Sequence, residues 1–168
     1  QPRSRGLGDV YKRQIIDGHF RQVLEETGMS VQKEFEMVGL ASRMDLFSIV
    51  YVATPEEAIE MAKQGADAII AHVGTTVGGS IGVTSAVVSW DHTIKVTQDI
   101  IAAAKSVNPN VFTLTHGGPI NTPKDVELIL SKTSADGFVG ASSLERMGVE
   151  DSLTQLTREF KNVPWKRP

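Results

Sequence analysis

The chain has 168 residues, 40% hydrophobic and 22% charged, with 17 Lys and Arg against 20 Asp and Glu, a formal net charge of −3. It contains no Cys, which excludes disulfides, thiolate metal sites and a cysteine nucleophile and fits a reducing, cytoplasmic setting. No apolar run approaches the ~20 residues that span a bilayer, and beyond the first fourteen residues only Lys166-Arg167 pairs basic groups, so neither a membrane nor a nucleic-acid partner is expected.

The first fourteen residues, QPRSRGLGDVYKRQ, have no hydrophobic period and no apolar core of a secretory signal. Asp9-Val10-Tyr11-Lys12-Arg13-Gln14 is what GAT GTG TAT AAG AGA CAG encodes, and that DNA resembles a transposase-end adapter of sequencing libraries. The expectation is that residues 1–14 are not native and that residues 15–168 form one domain. Setting the leader aside removes Arg3, Arg5, Lys12, Arg13 and Asp9, leaving 13 basic and 19 acidic residues, net −6.

Two helices are expected first, at 18–26 and 30–43. A strand follows at 47–52, where Phe47-Ser48-Ile49-Val50-Tyr51-Val52 is short, β-branched and nearly continuous in its apolar character. Thr54-Pro55-Glu56-Glu57 then opens a helix, with Thr as N-cap, Pro at the first helical position and acids in the first turn. Gly65 ends that helix and Ala66-Asp67 leads into a second strand, 68–71. Ser89-Trp90-Asp91 begins a longer helix that stops near Asn108-Pro109-Asn110. A third strand is expected at 111–114. Thr122-Pro123-Lys124-Asp125 repeats the earlier helix start, a fourth strand lies at 137–141, and a last helix covers 149–160 with Leu153, Leu156 and Phe160 on one face.

Strand–helix alternation of this kind predicts an α/β fold with a parallel sheet. A nucleotide-binding doubly wound sheet would place a Gly-rich loop after its first strand, and Thr54-Pro55 stands there instead. The glycines follow the later strands: Gly74, Gly78, Gly79 and Gly82, then Gly117 and Gly118, then Gly140. A (β/α)₈ TIM barrel puts phosphate loops after its seventh and eighth strands. The expectation is therefore the C-terminal half of a TIM barrel, strands five to eight with their helices. Four such units are too few for a whole barrel of about 250 residues. The N-terminal half is expected to precede Ile15 in the intact gene.

Four motifs carry a resemblance. Ile16-Asp17-Gly18-His19-Phe20-Arg21 continues through Leu24-Glu25-Glu26-Thr27-Gly28-Met29. Ala71-His72-Val73-Gly74 follows with Thr76 and Gly78-Gly79. Then come His116-Gly117-Gly118-Pro119-Ile120 and Gly137-Phe138-Val139-Gly140-Ala141-Ser142-Ser143-Leu144-Glu145-Arg146. In this order they resemble the phosphoenolpyruvate hydrolase-like TIM-barrel family, also described as a predicted TIM-barrel signal transduction family. It is similar to the C-terminal domain of plant tobamovirus-resistance proteins. The resemblance implies hydrolase or lyase chemistry on a phosphoenolpyruvate-type substrate, or a non-catalytic signalling or ligand-binding role.

His72 and His116 end consecutive strands, where barrel enzymes place catalytic groups. Imidazole titrates near neutrality, so each can act as acid, base or oxyanion donor. His19 and His92 lack that placement and read as surface residues. Gly117, Gly118 and the turn Gly140-Ala141-Ser142-Ser143 expose backbone N–H groups that suit a phosphate or carboxylate. The loop with Thr75, Thr76, Gly78 and Gly79 reads as a lid or as a solvated connection. Arg21 could clamp an anion, and Asp17 could ligate Mg²⁺ or serve as a base, with further metal ligands drawn from the N-terminal half. The expected partner is a small anionic metabolite, and the full-length protein is expected to be a homo-oligomer.

Overall fold

The computed structural model describes residues 18–80, 82, 84 and 88–162. Two helices come first, α1 (His19–Glu26) and α2 (Val31–Arg43). The alternating part follows as β1 (Ile49–Val52), α3 (Pro55–Lys63), β2 (Ala68–His72), α4 (Trp90–Val107), β3 (Phe112–His116), α5 (Pro123–Lys132) and β4 (Gly137–Phe138). A short α6 (Ser142–Glu145) and a long α7 (Met147–Lys161) end it. The four strands form one parallel sheet in chain order, β1-β2-β3-β4. The α/β class and the parallel sheet expected from the sequence are thus present.

Helix starts follow the local chemistry. The Thr54 hydroxyl accepts the Glu57 N–H at 3.2 Å ahead of Pro55. Thr122 and Asp125 form a reciprocal capping box before α5. Ser89 caps α4 by accepting the His92 N–H at 3.3 Å. These caps satisfy N–H groups that the first helical turn leaves without partners.

The sheet's two faces differ. Val52, Ile69 and Ala71 are buried against Ala58 and Met61 of α3 and Ile100 and Ala104 of α4, forming the main core. A second cluster joins Val73, Ile120 and Ile129, with Trp90 and Phe138 against it. Alternate residues point to the other face. There Ile49 and Phe112 remain 56% and 59% exposed, and Phe47 ahead of β1 is 68% exposed. On α7, Leu153, Leu156 and Phe160 are likewise exposed, so the apolar stripe seen in the sequence stays open.

All four strands moved somewhat from expectation: the second runs on to His72 and the third covers Phe112–His116 rather than 111–114. The first strand begins at Ile49 rather than at residue 47, because Ser48 is engaged by Asp67, whose Oδ2 accepts its N–H at 2.8 Å and its hydroxyl at 3.3 Å. The fourth strand stops at Phe138 rather than at residue 141. The Val139 N–H still donates to the Thr115 carbonyl at 3.0 Å, after which the chain turns toward α6. Asp136 repeats the Asp67 arrangement one strand pair later: its Oδ2 accepts the Thr113 N–H and the Thr113 hydroxyl, both at 2.8 Å. Burial pushes the Asp136 carboxyl up. The Thr113 hydrogen bonds and Lys105 outweigh that and hold it below the usual carboxylate value. The sheet is therefore two β-α-β pairs, each closed at its base by an aspartate.

Candidate functional site

The C-terminal ends of β1, β2 and β3 bring three aromatic side chains together. In the parallel register His72 lies opposite His116, and Tyr51 lies opposite Ile70, two residues before His72 and on the same face. The imidazole centroids are 5.1 Å apart with their planes at 59°. The Tyr51 ring meets His72 at 5.6 Å and His116 at 5.2 Å, edge-on in both cases. His72 and His116 are only 4% and 3% exposed. Hydrogen bonds made in such a dry setting are stronger than the same bonds in water.

Backbone partners fix how each imidazole is protonated. His116 Nδ1 lies 2.8 Å from the Val139 carbonyl oxygen. A carbonyl only accepts, so Nδ1 carries the hydrogen, and in the neutral ring Nε2 carries the lone pair. His72 is the reverse: its Nδ1 accepts the Gly74 N–H at 3.2 Å. Nδ1 then carries the lone pair and Nε2 the hydrogen. The two adjacent rings thus use Nδ1 oppositely, His116 as donor to the Val139 carbonyl and His72 as acceptor from the Gly74 N–H.

Tyr51 and Glu145 join this cluster without having been singled out in the sequence. Burial first, and the negative charge of Glu145 second, push the Tyr51 phenol above its ordinary value. Glu145 belongs to α6, which starts inside the Gly140-to-Ser143 turn. That turn reaches the histidines through one residue, since Val139, which holds His116, immediately precedes Gly140. The structure therefore brings His72, His116 and the start of the turn together.

The glycine loops are stitched to one another. The Gly118 N–H donates to the Gly74 carbonyl at 3.0 Å, and the Val77 N–H donates to the Gly118 carbonyl at 3.1 Å. Gly117 has φ +86°, and a Cβ there would run into the Gly74 carbonyl oxygen, so the close approach requires glycine. The loop containing Thr75, Thr76, Gly78 and Gly79 is held from the other side as well. Asn121 Nδ2 donates to the Val77 carbonyl and Arg146 to the Gly78 carbonyl, each at 3.2 Å. Glu150 accepts the Ser80 N–H at 2.8 Å and pairs with Arg146 at 3.1 Å. The Ser80 N–H, then Arg146, hold the Glu150 carboxyl below its ordinary value.

Arg21 stands in a different set of contacts. Its guanidinium meets Glu57 at 3.3 Å and Glu25 at 3.5 Å. The other Glu57 oxygen accepts the Ala53 N–H at 2.8 Å, just past the end of β1. Asp17 lies outside the described residues. Among the described residues no group of three or more His, Asp or Glu side chains is placed to hold a metal ion, and no helix is long and apolar enough to cross a membrane. His19 and His92 are exposed.

Comparison with known proteins places these residues in a lineage. The ToMV susceptible protein tm-1(GCR26) and the ToMV resistance protein Tm-1(GCR237), both of Solanum lycopersicum, are each 43% identical over 150 residues. The match covers 89% of this chain and 20% of each relative, so the chain spans about a fifth of their length. Among solved structures, the N-acetylmannosamine-6-phosphate 2-epimerase from Clostridium perfringens aligns with a TM-score of 0.44 at 18% identity, covering 77% of this chain and 48% of that one. Residues 11–163 match the profile of the phosphoenolpyruvate hydrolase-like family. A match over that much of the chain establishes membership: the chain belongs to the phosphoenolpyruvate hydrolase-like family.

Proposed function

We propose that this chain is the strand-five-to-eight half of a (β/α)₈ barrel enzyme that acts on a small phosphorylated or carboxylated metabolite by hydrolase or lyase chemistry. The observation that carries the chemistry is the register pair His72–His116 at two strand ends, its rings 5.1 Å apart and each Nδ1 engaged by backbone. Barrel enzymes keep their reacting groups at this end of the strands. Gly117 and the Gly140-to-Ser143 turn follow the ends of β3 and β4 and supply the anion contacts, while the Gly118 N–H expected to join them is taken by the Gly74 carbonyl at 3.0 Å. The half-barrel reading is supported by the chain-order parallel sheet, with the main core on one face and Ile49 and Phe112 open on the other. Where a Mg²⁺ ion takes part, its carboxylate ligands come from Asp17 and from strands one to four.

A second reading, ligand binding without turnover, is favoured by the burial of both rings at 4% and 3% exposure. Calorimetric titration of the full-length protein, strands one to four included, with phosphoenolpyruvate, followed by phosphorus NMR of the mixture, separates the two. Binding with product supports the enzyme. Binding with the phosphorus signal unchanged supports the second reading and overturns the first. An absence of both binding and product overturns the anion site itself.

A further inference from the structure

Helix α7 is seated by its first turn. Of its 15 residues Met147 is buried, Glu150 is half-buried, and residues 151–161 are all exposed. Arg146, at its N-cap position, completes the seat. The same three side chains hold the segment 77–80. The Arg146 guanidinium donates to the Gly78 carbonyl at 3.2 Å, Glu150 accepts the Ser80 N–H at 2.8 Å, and the two pair at 3.1 Å. Hydrogen bonds to ionised groups like these are stronger than neutral ones. Gly79 packs so closely on the helix that a Cβ there would run into Arg146 and stand 2.9 Å from both Met147 Cγ and a Glu150 oxygen. Gly78 and Gly79 take φ +87° and +73°, and the absence of a Cβ is what lets this backbone lie flat on α7.

The segment is fastened on its other side to the loop after β3. The Val77 N–H donates to the Gly118 carbonyl at 3.1 Å, and Asn121 Nδ2 donates to the Val77 carbonyl at 3.2 Å. Residues 77–80 therefore form a strap from the Gly117-Gly118 turn to the first turn of α7. We propose that the strap and α7 open and close as one unit, so that the helix is a lever, about 22 Å long, acting on the strand-end loops. The ion pair, the two charge-assisted hydrogen bonds and the Met147 contact all join the same two short pieces of backbone. Losing one loosens the others, and the exposed residues 151–161 cannot take over the seat. Coupling of this kind is reciprocal: unseating α7 frees the strap from the Gly118 carbonyl, and lifting the strap unseats α7. The base of the sheet lies outside the unit. There the Ala68 N–H donates to the Ser48 carbonyl and the Phe112 N–H to the Asp67 carbonyl, each at 3.0 Å.

Amide hydrogen exchange of the full chain, read residue by residue by NMR, tests the coupling from both sides. Glu150→Ala removes the acceptor of the Ser80 N–H and the partner of Arg146 and leaves the Val77 hydrogen bond untouched. The Val77 amide should nevertheless exchange about tenfold faster, with Ala68 and Phe112 within about twofold of the parent. Gly79→Ala pushes from the strap side. The Glu150 amide, which donates to the Arg146 carbonyl at 2.9 Å, should then speed up by a similar factor. A Val77 rate unchanged in a folded Glu150→Ala overturns the coupling, and so does a Glu150 rate unchanged in a folded Gly79→Ala. The parent supplies a readout that needs no variant. As urea rises below the unfolding transition, the Val77 and Glu150 amides should converge on one opening equilibrium, within about threefold, before Ala68 and Phe112 join them. If those two amides stay about tenfold apart, the strap and the helix open separately and the proposal falls, whether or not the variants fold.

Discussion

Replacing Asp136 by Ala should destabilise the chain by roughly 2–4 kcal/mol, and the size follows from what its carboxylate holds. Oδ2 accepts the backbone N–H and the hydroxyl of Thr113, both at 2.8 Å, and Thr113 is fully buried. A buried backbone donor left without an acceptor costs about 1–3 kcal/mol. The hydroxyl costs less, because the Ser134 carbonyl lies at 3.5 Å and can take it over. The Lys105 pair, with the Asp136 side chain 41% exposed, adds at most about 1 kcal/mol. For a chain of this size each kcal/mol moves the midpoint by about 2–4 °C, so Asp136→Ala should melt roughly 4–16 °C below the parent. Asp136→Asn keeps a carbonyl oxygen for the Thr113 N–H and should lose about 1 kcal/mol. The comparison also has a sign in pH. The folded Asp136 carboxyl sits below its ordinary value, so its contribution is present above pH ~4 and fades as pH falls through the folded value. The gap between parent and Asp136→Asn should therefore narrow in acid. Circular dichroism melts at pH 7 and below pH 4 measure this. An Ala variant melting within a degree of the parent, or an Asn variant as unstable as Ala, would refute the clamp.

Gly117→Ala forces a Cβ into the Gly74 carbonyl oxygen at positive φ and should cost several kcal/mol in urea unfolding. Gly148→Ala, where a Cβ meets nothing within 4 Å in α7, should instead stabilise by up to about 1 kcal/mol. Ile100→Ala empties a fully buried position between α4 and the sheet and should cost about 2–5 kcal/mol in the same assay. Phe112→Ser acts on the open face, where the ring is 59% exposed. By sedimentation velocity the parent should self-associate and the variant should associate less at unchanged helicity; a parent that sediments as a clean monomer argues against the half-barrel.

Much of the fold was legible because it rests on short-range chemistry. Thr54-Pro55 and Thr122-Pro123 announced helix starts, and continuous apolar runs announced strands buried in a parallel sheet. His72 and His116 were placed at strand ends by that reading alone, and the register sets them opposite one another. Tyr51 escaped because a continuous apolar run hides which residues share a face. Its partner Ile70 is fixed only by the offset of β1 against β2. Glu145 escaped because α6 has four residues, too few for a helical period to show. The aspartate clamp had a signal that was passed over. Ala66-Asp67 and Ala135-Asp136 stand before the second and fourth strands, and both aspartates reach back to the start of the preceding strand. Tautomers depend on which backbone atom meets each imidazole, and only the three-dimensional arrangement supplies that.

The most direct test of the strand-end site is phosphorus NMR of phosphoenolpyruvate with the full-length protein, strands one to four included, and with its His116→Asn variant in parallel, with circular dichroism on both. The account predicts product with the parent, and at least a hundredfold less with the variant at an unchanged spectrum. Equal turnover by a folded His116→Asn would remove His116 from the chemistry and contradict the account.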